Sequence, residues 1–163
     1  MKKLLMILVL ALIGVNVSAQ KLGHINAQEI MLKTNEYKAA STEMERYTAE
    51  LTKQLEMYAK LLQDAEAQFK KDAPSLPDEI KEDRYAELME KGQKFQQQQM
   101  EAEQSLQEKE AKLLNDVMLK VQGAVATVAK ANGYVYVFDV NNCHYAGGED
   151  IGDLVKKELG VTE

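Results

Sequence analysis

Cysteine, histidine and proline are nearly absent from this chain, which carries one, two and two of them. The single cysteine, Cys143, excludes a disulfide within one chain. It also stands far from the site just after a leader where a lipoprotein carries its acylated cysteine. His24 and His144 are too few to form a metal site without carboxylates at ligand spacing, and no such motif is present. A basic excess is missing as well: the formal charge is −6. Nucleic-acid binding needs a positive stripe that displaces counterions from phosphates, and none is visible. No phosphate loop, G-x-S-x-G or H-E-x-x-H occurs, so neither nucleotide-driven work nor a familiar hydrolase is indicated, and no cofactor is implied.

Long apolar runs are absent except at the start. Met1 to Lys3 is a short basic segment, Leu4 to Val15 an apolar one, and Val17-Ser18-Ala19 places small residues at a cleavage site. This is the pattern of a secretory signal peptide over residues 1–19, removed after Ala19. The apolar run is too short for the roughly 20 residues of a membrane-spanning helix, so no stable membrane insertion is expected. Cleavage removes Lys2 and Lys3 and moves the formal charge from −6 to −8.

What the sequence has in abundance is helical periodicity. Tyr37, Ala40, Met44, Tyr47, Leu51, Leu55, Tyr58, Leu62, Ala65 and Phe69 recur in steps of three and four, without an intervening glycine or proline. That spacing makes a coiled-coil seam. Glu43, Glu45, Arg46, Glu50, Lys53, Glu56 and Lys60 between them read as a solvated face. Pro74 and Pro77 then break the helix, since each removes a backbone donor and pushes the preceding residue out of the helical region. Asp78 and Glu79 favour a new helix start. The seam resumes at Tyr85, Leu88, Gly92, Phe95, Gln99, Ala102 and Leu106, and continues through Leu113, Val117, Val121, Ala124, Val128 and Ala131. Gln99 at a core position should loosen the hairpin there. Helices of about 45 and 55 residues joined by a short loop fold back antiparallel, reaching roughly 70 and 80 Å.

The flanks read as β-structure. Leu22 to Asn26 and Tyr134 to Val140 are strand candidates, and Gly133 should close the long helix in a left-handed conformation. Asn141-Asn142 suits a two-residue turn, which would return Cys143 to Ala146 as an antiparallel third strand. On a strand, Cys143 and His144 would point to opposite faces and could not form a nucleophile-base pair. Gly147-Gly148 should end that strand, and Asp150 should cap a last helix closed by Gly160. The fold class is therefore α+β and predominantly α. A hairpin arm over 27–130, with its tip near 74–77, stands on a small β-rich body made of 20–26 and 131–163. So small a body cannot bury a self-sufficient core, so copies of the chain should associate through it.

Gly23-His24-Ile25-Asn26-Ala27-Gln28-Glu29-Ile30, the long charged hairpin and the closing segment Ala131 to Leu159 together resemble the Skp (OmpH-like) periplasmic chaperones. The resemblance spans the whole mature chain and is strongest at its two ends. It implies a jellyfish-like homotrimer whose helical arms enclose a cavity for unfolded outer-membrane proteins. It also implies an ATP-independent holdase in the periplasm, not an enzyme. The family's best-known members are strongly basic and this chain is acidic, so no lipid-binding site is carried over. A structural envelope spacer is the alternative for the same fold. Met57, Leu61, Met89 and Met100 lie on the arm but outside the seam. Flexible, polarizable side chains of this kind suit weak contact with many apolar segments, which makes them the candidate client-binding residues. A fold-back centred between Ser75 and Leu76 sets Leu61 level with Met89.

Overall fold

A computed structural model describes residues 20–161; the leader over 1–19 lies outside them. Strand β1 (Lys21–Ile25) leads into helix α1 (Ala27–Lys33) and the long helix α2 (Asn35–Asp72). A 3-10 turn (Ala73–Ser75) reverses the chain into α3 (Asp78–Asn132), followed by strand β2 (Tyr134–Asp139). A second 3-10 turn (Val140–Asn142), strand β3 (Glu149–Asp150) and helix α4 (Gly152–Glu158) complete the fold.

Helices α2 and α3 hold 38 and 55 residues, about 57 and 82 Å at 1.5 Å per residue. They form the expected hairpin. Every seam position of α2 from Tyr37 to Phe69 is half-buried, and Ala102, Val117, Val121, Ala124 and Val128 of α3 are buried. Three expected seam positions of α3 differ. Gln99 is exposed and Gln98 takes its place: the seam runs Gly92, Phe95, Gln98, Ala102, Ser105, with two consecutive steps of three that interrupt the three-four alternation and shift the seam by one residue. Tyr85 and Ala131, at the two ends of the α3 seam, are also exposed.

The helix after β1 is not continuous. At Thr34 the backbone is extended, with ψ 150°, and this residue both ends α1 and caps α2. Its hydroxyl donates to the Met31 carbonyl at 2.7 Å and accepts from the Tyr37 N–H at 3.0 Å. Thr34 is 1% exposed, so these bonds satisfy a polar group that has no access to water. The break lets α1 turn Ala27 and Ile30 into the core while α2 leaves along α3.

The sheet departs further from expectation. Its order is β2-β1-β3, and both pairings are parallel. The antiparallel hairpin does not form. Asp139 folds the chain instead, accepting from the Asn141 N–H and from its side-chain amide at 3.1 Å each, which winds Val140–Asn142 into a 3-10 turn. Among the described residues no position other than glycine has positive φ, so Asn141 and Asn142 never adopt the conformation a two-residue hairpin requires. Cys143 to Ala146 therefore stay outside the sheet, and the chain crosses over to pair β3 with the far side of β1. Gly148 permits that entry, since a Cβ there would stand 2.7 Å from the Leu22 carbonyl oxygen.

Helix α4 starts and stops much as its sequence suggests. Asp150 accepts from the Gly152 N–H at 2.8 Å, although Ile151 occupies the capping position itself. Gly133 and Gly160 close their helices at φ +72° and +68°. One core joins these parts: Ile25, Ile30, Val121, Val128, Tyr134, Ile151 and Val155, with Ala27 and Ala124 between them. Register places Leu22 beside Tyr136 and His24 beside Phe138 on the sheet face turned away from that core. Leu22, Tyr136 and Phe138 are exposed there, and the two aromatic rings stack at 6.1 Å.

Candidate functional site

The hairpin is fastened by polar contacts near the sheet. Lys120 pairs with Glu36, and Lys109 reaches Glu43 at 3.0 Å while lying over the Tyr47 ring. The Tyr47 hydroxyl meets Ser105 across the helices. Glu43 also accepts from Arg46 on its own helix, so it is an inter-helix clasp and not part of a freely solvated face. The hydrogen bond from Lys120 holds the Glu36 carboxyl below the usual range, and those from Lys109 and then Arg46 do the same for Glu43. Spacing along one helix cannot reveal such pairs, because they depend on the register between two.

That register also locates the four candidate contact residues. With Tyr47 across from Ser105, equal steps along both helices bring Leu61 level with Lys91, within one turn of Met89. Met57, Leu61, Met89 and Met100 are 55%, 58%, 48% and 64% exposed, so all four are accessible. They do not share a face. Two grooves run along opposite sides of the distal hairpin, with Phe69 and Leu88 as their common wall. One is lined by Ala65, Asp72, Arg84, Glu87 and Lys91, with Arg84 and Glu87 paired at 3.2 Å. Leu61 is one turn before Ala65, and Met57 one turn before Leu61, so both belong to that charged side. The other groove is lined by Leu62, Glu66, Lys70, Tyr85, Met89, Gly92, Gln93 and Gln96 besides the common wall. Met100, eleven residues beyond Met89, shares its side of α3.

Away from the arm, Cys143 is half-buried and directs its thiol toward the Val140 carbonyl at 3.8 Å. His144 is exposed. Because neither residue lies in a strand, the alternation of side chains does not govern their orientation. Nδ1 of His24 is buried without a hydrogen-bond partner. Among the described residues no group of three or more His, Cys, Asp or Glu could hold a metal ion, and no helix is long and apolar enough to cross a membrane.

A long helical hairpin rooted in a small parallel sheet, with two accessible grooves of mixed apolar and polar lining along the arm, defines a coiled-coil scaffold. The family model described as outer membrane protein (OmpH-like) matches residues 21–159, and the chain belongs to this family. Its fold is similar to that of an OmpH-like protein from Caulobacter crescentus CB15, described as a proposed outer membrane chaperone. The TM-score is 0.76 at 16% identity, covering 86% of this chain and 83% of the other. No curated protein matches the sequence.

Proposed function

We propose that this protein is an ATP-independent periplasmic holdase that keeps unfolded outer-membrane β-barrel proteins from aggregating between its helical arms. Family membership over residues 21–159 carries the reading, since the OmpH-like proteins are chaperones and not enzymes. The hairpin supplies long, accessible, mixed apolar and polar surface, and several weak contacts along it would retain a client without fixing its conformation. Working copies form a homotrimer. The exposed Leu22, Tyr136 and Phe138 and the free edge of β2 favour association at the sheet end, where a lone three-stranded sheet leaves one apolar face uncovered.

The test is aggregation of a urea-denatured β-barrel protein, followed by light scattering after dilution with and without the mature chain and with no nucleotide added. Suppression at near-stoichiometric amounts is expected. Unchanged scattering would leave the same hairpin as an envelope spacer.

A further inference from the structure

Gly92 occupies a seam position inside the 55-residue α3, yet nothing in the fold requires a glycine there. Its backbone is helical, and a Cβ built on it meets no atom within 4 Å. Glycine is the poorest helix former after proline, so alanine would fit and strengthen the helix. The other glycine inside α3, Gly123, stands on the exposed side, where open space is expected. At Gly92 the open space lies between the two helices.

The space above Gly92 is the second of the two distal grooves, about 620 Å³ in volume. Leu62, Phe69 and Leu88 form its walls, and the exposed Tyr85 and Met89 stand at its mouth. Its polar lining is Gln93 and Gln96, whose amides both donate and accept hydrogen bonds, together with Glu66 and Lys70, four residues apart on α2 and opposite in charge. The groove on the opposite side is of similar origin but carries Asp72, Arg84, Glu87 and Lys91. An unfolded segment brings apolar side chains together with unpaired backbone N–H and C=O groups. A slot with amide rims and only one ion of each sign, Glu66 and Lys70, matches both, whereas the twin, with two of each sign, would force more desolvation of ions against an apolar group.

The geometry points to the Gly92 groove as a binding slot for large apolar side chains, aromatic or branched aliphatic, of an extended unfolded client, one of them at the vacant seam position. This rests on the chaperone reading and narrows it. The client side chain fills the missing seam position and completes the hairpin packing, while Gln93 and Gln96 pair with the backbone beside it. The sequence-derived set is thereby divided: Met89 belongs to the slot, and Met57 and Leu61 do not.

Filling the slot from within tests this, because stability and holding should move in opposite directions. Gly92→Leu supplies a better helix former and an apolar side chain to the void. A higher thermal midpoint is expected together with release of a urea-denatured, fluorophore-labelled β-barrel protein several-fold faster than from wild type. Gly92→Ala should raise the midpoint and leave release closer to wild type. A Gly92→Leu protein that is stabilised and retains client as wild type does overturns the slot while leaving the chaperone reading intact. A wild-type protein that retains no client overturns both. Methyl NMR of methionine-labelled wild type gives a second reading that needs no substitution. On client addition the Met89 signal should shift or broaden more than the Met57 signal, and the reverse order overturns the assignment.

Discussion

Thr34 decides where the arm leaves the sheet end, and it does so with one hydroxyl that serves both helices. Thr34→Val keeps the shape but removes the bond to the Met31 carbonyl and the cap on the Tyr37 N–H. A loss of about 1 to 2 kcal/mol is expected in denaturant unfolding, with Thr34→Ser close to wild type. Equal stability of the valine variant would mean that packing alone holds the break. The sequence carries a signal here, since Thr34-Asn35-Glu36 has the composition of a helix start just before the apolar period that begins at Tyr37, but the expected arm runs unbroken from residue 27. The clasps formed by Glu36 and Glu43 set a pH dependence. Their folded pKa values lie below the ordinary carboxylate value of about 4.3, so their contribution is complete above that pH and is lost as the pH falls below it and through the lowered folded values. The thermal midpoint should fall as the pH drops below about 4.3. Replacing both by Gln should lower the midpoint at neutral pH and make the fall shallower, and an unchanged slope would show that other carboxylates dominate.

Among the elements, helices were the legible part. Pro74 and Pro77, the acidic start at Asp78 and the left-handed Gly133 each act locally, so the hairpin could be read with its ends nearly in place. Contacts between distant segments decide the rest. Asn141-Asn142 has the chemistry of a tight turn, but Asp139 captures Asn141, and Asn26 accepts from the same amide at 3.1 Å. The candidate site was half legible for a related reason: spacing placed Met57 with Leu61 and Met89 with Met100, but which broad face each pair occupies follows only from how α2 sits against α3. The turn at Ala73–Ser75 is expected to be the free end of the arm. Removing one heptad from α2 and one from α3 beside it should leave the oligomer unchanged and reduce the size of client held, as read by sedimentation and by aggregation assays with clients of graded length. Dissociation on such a deletion would place the turn at the interface.

For the molecule as a whole, the proposed homotrimer would cover the exposed sheet face, and light scattering of the mature chain should return the mass of three copies. Tyr136→Asp with Phe138→Asp should yield monomers that retain their helices by circular dichroism, because the substitutions touch the outer face and not the core. A wild-type protein that is monomeric at micromolar concentration would remove the trimer. The parallel pairing of β1 with β2 has a further consequence for the order of folding. Ala27, just after the first strand, donates to Asp139 at the end of the second, 112 residues away. Both long helices can wind from local contacts as soon as they are made, but β1 has no sheet partner until nearly the whole chain exists. The hairpin thus acts as its own loop closure: by folding back on itself it returns β2 to β1, and closing the sheet costs far less entropy than it would for an open chain of that length. Sheet formation should therefore be the last and slowest phase of folding, and a change that weakens the hairpin should slow a process in which none of its own residues takes part.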